Sequence, residues 1–394
     1  MTPTTPRIRD PRLDFFRGLG MFIILIAHVT DNPWTLYIPA RFGFSDATEI
    51  FVFCSGMASA IAFGAVFARA GFLWGCVRIA YRVWQVYWVH LGVFLVTLAA
   101  MLALNATGVF PRDEVGALNL YPLFQTGGAN LLGLLTLTWV PNYFDVLPMY
   151  LVILALIPVM IGLARLDPAL AIAVSVVMWL AATTGLLDLP AEWWFAGGSD
   201  RAWFFNPFAW QLVFFTGFAL KSGWLPAPPV RRGLVWLAVA VLVLSVPFAW
   251  YKTINVLPLV QDWRRDWAVL IDKSGFGVLR YVHFLALAYL AWVAVGPGGR
   301  RLTGGPAVTG MVRVISGVGQ QSLAVFATSM VLARVLGAVL NLGGGGPLVT
   351  LAVNLAGFAA IIGVAALMRV IKRQPWNAAR EARVPEALPE GART

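Results

Sequence analysis

Charge is scarce in this chain. Only 12% of its 394 residues are Asp, Glu, Lys or Arg, about half the roughly 25% of an average soluble domain. So little charge cannot cover a water-facing surface, which excludes an ordinary soluble fold. Cysteine is nearly absent: Cys54 and Cys76 are the two. They build no disulfide framework, and no C-x-x-C pattern points to a metal. Histidine occurs three times, at His28, His90 and His283, without clustered spacing, so no metal site is expected. The chain also lacks a P-loop, an H-E-x-x-H and a G-x-S-x-G elbow. No stretch reads as a nucleic-acid motif, despite a net charge of +11. A cleavable signal peptide is not expected either, because residues 1–14 are polar and basic and the first apolar run leads straight into ionisable residues.

What the chain has in plenty is apolar length. Hydrophobic residues make up 59% of it, with 38 Gly and 17 Trp, and the mean hydropathy is +0.77. Glycine lets helices pack closely in lipid, and Trp collects at membrane interfaces. A spanning helix needs about 20 mostly apolar residues. Runs of that kind fall near 15–31, 46–68, 82–104, 144–164, 169–187, 206–221, 233–251, 280–296, 318–340 and 347–370. The expectation is an all-α integral membrane protein, a polytopic bundle of about ten transmembrane helices occupying residues 1–372. Residues 129–143 are apolar but short, and read as interfacial or re-entrant. The polar tail, 373–394, reads as disordered. With the N-terminus in the cytoplasm, about 20 Lys and Arg fall on that side and 8 on the other, so both termini are expected to be cytoplasmic. The mixed-charge loop from Lys252 to Arg280 is the exception. No internal repeat is evident, which gives no support to an inverted-repeat transporter.

Ionisable residues inside apolar runs are costly, and each is a functional candidate. In the first run, Asp14, Arg17, Met21, Ile24 and His28 recur at three- and four-residue spacing and share a face. Arg17 lies at the cytoplasmic mouth, and His28 stands about 16 Å further along the axis. Arg17 can equally be a snorkelling positive-inside residue, and His28 an interhelical hydrogen-bonding residue. Asp46 and Glu49 open the second run as a D-x-x-E pair. That spacing suits a capping box, and Glu49 reaches far enough inward to orient a histidine. Ser55 and Gly56 follow, suited to close approach by a ligand or by another helix. Arg78 and Arg82, four apart, can grip phosphates or simply set topology. His90, deeper in the same run, reads as structural more readily than catalytic. Arg280 and His283 share a face at the outer start of a later run. Asp145 opens the fourth helix, where a helix-end role is the plain reading.

The strings RDPRLDFFRGLGMFIILIAHVTD and DATEIFVFCSG resemble the OpgC family, membrane proteins that succinylate osmoregulated periplasmic glucans. The likeness continues through RVWQVYWVHLGVF, LPMYLVILALIP, FNPFAWQLVFFTGFAL and LRYVHFLALAYLA to GQQSLAVFATSMVLA. The family is similar to the broader acyltransferase-3 group, whose L-D-x-x-R…H pattern is matched by Leu13, Asp14, Arg17 and His28. The match of Phe51, Val52, Phe53, Ser55 and Gly56 to that group's F-F-V-x-S-G pattern is looser. The resemblance implies a bacterial inner-membrane enzyme taking an acyl group from cytoplasmic succinyl-CoA or acetyl-CoA to a periplasmic glucan. No tightly bound cofactor is implied. Membrane lipid is a partner, and a homo-oligomer stays open.

On that scheme Arg17, Asp14, Arg78, Arg82 and Ser55 serve the acyl-CoA. His28 is the general base, or carries the acyl group itself, with Glu49 or Asp46 setting its tautomer. His283 and Arg280 bind acceptor or steady the oxyanion, with Arg280 as the cation for a succinyl carboxylate. His90 and Asp145 complete the acceptor side. A transporter and a non-catalytic partner in glycan export are the competing classes.

Overall fold

A computed structural model describes residues 10–192 and 199–375. Among these there is no strand, only a single bridge between Pro190 and Ala202. Ten helices answer the ten apolar runs: α1 Pro11–His28, α2 Ala47–Arg69, α3 Phe72–Ala106, α4 Val146–Leu166, α5 Pro168–Thr183, α6 Pro207–Ser222, α7 Arg232–Ala249, α8 Val278–Val295, α10 Ser322–Leu342 and α11 Pro347–Arg373. An eleventh, α9 Pro306–Gln320, answers none of them. Seven of these helices (α2, α3, α4, α7, α8, α10 and α11) are long and apolar enough to cross a membrane. The others fall short for plain reasons. Helices α5 and α6 have 16 residues each, and α1 carries Arg12, Asp14 and Arg17 in its 18. The tail expected to be disordered lies, from residue 376 on, outside the described residues.

Helix starts follow local chemistry. Asp10 caps α1 and Asn206 caps α6, each followed by Pro at the first helical position, where its missing N–H costs nothing. Asp46 caps α2 as the sequence indicates. Its carboxylate accepts from Thr48 N at 2.7 Å, and the Glu49 carboxylate accepts from Asp46 N at 2.8 Å. Helix α3 starts ten residues before its apolar run and extends to 35 residues, about 52 Å. The short apolar segment before α4 forms a helix, Ala129–Thr136. The Tyr87 hydroxyl donates to the Leu135 carbonyl at 2.7 Å, so this helix lies beside the middle of α3, as a re-entrant segment would. The Lys252–Arg280 loop contains three short helices, Tyr251–Val256, Pro258–Asp266 and Ala268–Ile271.

The bundle is organised by reciprocal glycine contacts. A Cβ on Gly56 of α2 would collide with the Phe214 carbonyl of α6, and one on Gly217 of α6 with the Phe53 carbonyl of α2. Gly18 of α1 meets the Ile315 carbonyl of α9, and Gly319 of α9 meets the Asp14 carbonyl of α1. Such close approach replaces the hydrophobic drive that helices lack inside lipid. Helix α9 thereby becomes a strut. It grips α1 and brings Gly317 against Arg369 near the end of α11, so the first and last helices start and finish beside each other. That side is the N face of the bundle. Helices α7 and α8 form a peripheral pair. Few contacts join α8 to α2, and α7 is only 11% buried across its apolar window.

Helix α2 contains its own control. Nothing stands within 4 Å of the point where a Cβ on Gly64 would sit. Gly56→Ala and Gly217→Ala are expected to cost about 1–3 kcal/mol each by overpacking, and Gly64→Ala close to nothing. Thermal unfolding and size-exclusion profiles of the detergent-purified variants check this.

Candidate active site

At the end of the bundle away from the N face, α8 is fastened to the rest by ions. Arg280 donates to the Glu49 carboxylate through Nε at 2.9 Å and Nη2 at 2.5 Å, and its Nη2 lies 3.5 Å from Asp46. Lys273 donates to Asp46 at 2.6 Å. Glu49 has no exposed surface and Arg280 is 7% exposed. Burial by itself would raise the Asp46 carboxyl, but Lys273 and Arg280 beside it hold it well below the usual carboxylate range. Asp46 therefore stays ionised through mildly acid solution, and its contribution to stability is lost only as pH falls through that lowered value. Two residues along α8 from Tyr281, His283 completes the fastening. Its Nδ1 lies 2.7 Å from the Ser45 hydroxyl, and its Nε2 edge packs directly on Gly43, where any Cβ would collide.

His28 ends α1 beside this cluster. Its Nδ1 is 2.7 Å from the Ile24 carbonyl, an acceptor only, so Nδ1 carries the proton and Nε2 keeps its lone pair. Tyr143 meets the His28 ring edge-on, centroids 5.5 Å apart. The Tyr143 hydroxyl is spent on the Met330 carbonyl at 2.5 Å. Asp46, Lys273 and Arg334 act electrostatically on His28. Arg334, on α10, pairs with Glu114 at 3.1 Å and donates to Thr30 at 2.7 Å.

Toward the N face, a cavity of about 1320 Å³ runs between α1, α2 and α8. Its rim carries Arg12, Arg17, Arg165 and Lys221, against the acids Asp10 and Asp14. Its walls are apolar, with Phe53, Cys54, Met57, Phe284 and Trp292 among them. The cavity follows α1 from Asp10 to Ile23, about 20 Å. Arg12 stands over Trp292 at 3.6 Å, ties to Asp10 at 2.6 Å and reaches the Gly296 carbonyl at 3.4 Å, so it fastens α1 to the N-face end of α8. Arg17 donates to the Ser322 hydroxyl. His28 lies five residues beyond Ile23, about 7.5 Å further along α1.

The structure sorts the sequence candidates. Arg17 and Asp14 line the cavity; Arg78, Arg82 and Ser55 do not. Arg78 lies 5.7 Å from the rings of Phe63 and Tyr81, Arg82 bonds Gln85 at 3.3 Å, and Ser55 is packed away at 3% exposure. Glu49 and Asp46 do not set the tautomer of His28, since Ile24 does that and both acids hold cations. Arg280 already faces two carboxylates, Glu49 and Asp46. Among the described residues no contact joins His28 to His283. His90 is buried in α3, its Nε2 without a partner. Asp145 is 5% exposed, and burial pushes its carboxyl up to about 6 against the pull of Arg201; neither it nor His90 lines the cavity. Sequence reasoning passes over Arg334, Glu114 and Tyr143. An arginine in the middle of the apolar run SLAVFATSMVLARVLGAV is the signal available.

Removing Arg280 leaves the buried Glu49 carboxyl without its cation. Arg280→Met is expected to lose about 3–5 kcal/mol, with much of that recovered in Glu49→Gln/Arg280→Met. Arg265, whose side chain is 71% exposed, makes surface pairs only, and Arg265→Met should stay within about 1 kcal/mol of wild type. Denaturant titration in detergent measures all three.

No curated protein and no solved structure matches the chain. A family model described as OpgC protein matches residues 9–373, which covers every helix of the bundle. The chain belongs to the OpgC family.

Proposed function

We propose that the protein is a transmembrane O-acyltransferase of the bacterial inner membrane. It takes an acyl group, succinyl by preference, from cytoplasmic acyl-CoA and places it on a hydroxyl of a periplasmic glucan. The observation that carries this reading is the long apolar cavity with a basic rim at the N face, aimed along α1 toward His28. A CoA donor is anionic at its nucleotide end and slender along its pantetheine arm. Arg12, Arg17, Arg165 and Lys221 suit the first, and the apolar walls suit the second. Arg78 and Arg82, candidates from sequence, are replaced in this role by the rim.

The chemistry follows from the His28 tautomer. With Nδ1–H held by Ile24, Nε2 is the base. A sugar hydroxyl approaching from the periplasmic side attacks the thioester carbonyl, and Nε2 takes its proton. The C–S bond breaks, the new ester forms, and the departing thiolate receives the proton from the imidazolium. An acyl group carried on Nε2 is the variant of the same scheme. For either route the thioester must pass the side chains between Ile23 and His28, where the cavity ends. Asp46, Glu49, Arg280 and Lys273 position the periplasmic wall of the site rather than take part in proton transfer.

Release of free CoA thiol from succinyl-CoA and acetyl-CoA by the purified protein, with and without glucan, tests this. Acceptor-dependent release is expected, falling by about 100-fold or more in His28→Ala, within the 10²–10⁴-fold of a general base. Undiminished release in His28→Ala would remove the base. No release from either donor would sink the enzyme and return the transporter or export-partner reading.

A further inference from the structure

Resting on the acyltransferase reading, we propose that Arg334 selects the donor by binding the free carboxylate of a dicarboxylic acyl group beside His28. Arg280, the cation that sequence alone favours, already faces two carboxylates: Glu49 takes its Nε and Nη2, and Asp46 lies 3.5 Å from the same Nη2. Arg334 is differently placed. Its side chain is 8% exposed, and it is held by one carboxylate oxygen of Glu114 and by the Thr30 hydroxyl. Its Nε is buried with no partner. A guanidinium in this state keeps one unused donor from which a second carboxylate can accept.

Distance agrees with this assignment. Tyr143 lies close to both groups, its ring centre 5.5 Å from that of His28 and 5.8 Å from the Arg334 guanidinium carbon. The ring and the guanidinium are therefore at most about 11 Å apart. In a succinyl group the carbonyl carbon and the carboxylate carbon are separated by three carbon–carbon bonds, about 4 Å when extended. Adding about 3 Å from Nε2 to the reacting centre and a charge-assisted contact of about 2.8 Å gives a reach of about 10 Å, close to that upper limit. A two-carbon acyl group cannot reach.

Charge agrees too. Arg280 and Lys273 are matched by Glu49 and Asp46, and Arg334 by Glu114. When Nε2 takes the proton, one positive charge appears beside Arg334. The donor's own carboxylate offsets it at that moment, which favours the transition state and not merely binding.

The test compares succinyl-CoA with acetyl-CoA as donors to periplasmic glucan. Wild type, Arg334→Lys and Arg334→Gln/Glu114→Gln are used as full-length detergent-purified proteins. The double variant removes both charges together, so neither is left unpaired, and thermal unfolding verifies its fold. Wild type is expected to favour succinyl-CoA in kcat/KM. In the double variant succinyl transfer should fall 10- to 100-fold, largely through KM, while acetyl transfer falls at most a few-fold. Arg334→Lys, which keeps the charge but loses the fork, should fall between, and it carries the test alone if the double variant does not fold. Parallel losses for both donors, or a wild type without succinyl preference, would overturn the proposal and leave the acyltransferase standing. A wild type that transfers from neither donor would overturn the underlying reading instead.

Discussion

Glu49 is a carboxylate with no exposed surface at the head of a helix whose other end lies across the bundle. An isolated ion there would cost several kcal/mol, so it must be met by a cation, and the cation arrives on α8 as Arg280. That requirement fixes where α8 sits. It also explains why a helix pair with few other contacts to α2 keeps its place. Asp46, Lys273, Ser45 and His283 extend the same fastening, and Arg12 on Trp292 repeats it at the N face. Between the two fastenings the helices are free to stand apart. The cavity is the space left over.

This arrangement separates the polar groups into two kinds. Polar groups near the N face are unequal in charge, four cations to two acids on the rim, and so attract anions. Polar groups at the other end are matched, cation for carboxylate, and hold shape. His28 stands near Arg334 and the Glu49 cluster with one nitrogen occupied and one available. On the proposed reaction, a base placed among balanced charges sees little net field before reaction and a new charge only during it, which is where stabilisation accelerates a step.

Much of the fold is legible in the residues. Each of the ten apolar runs corresponds to a helix, the D-x-x-E spacing marks the capping box, and the 3–4 spacing in α1 places Asp14, Arg17 and His28 along one helix. Helix α9 escapes because PAVTGMVRVISGVGQ is short and glycine-rich, and its reason for existing is the contact of Gly319 and Gly18 with carbonyls distant in sequence. The site is legible only in part. Glu49 is recognisable as able to balance a charge, but its partner lies 231 positions away and no local pattern names it. Arg78 and Arg82 have the right spacing for a phosphate grip, yet Arg78 meets Phe63 and Tyr81, Arg82 meets Gln85, and neither lines the cavity. Glu114 meets Arg334 across 220 positions, which only the packed structure can show.

In the proposed reaction an acyl group crosses the membrane inside this protein while its CoA carrier stays behind. Purified protein reconstituted into sealed vesicles, with labelled succinyl-CoA on the side bearing the N-terminus and glucan on the other, tests it directly. Label should appear on the glucan, with free CoA confined to the donor compartment and no transfer in protein-free vesicles. Label on the glucan only when donor and acceptor share a compartment would contradict the account.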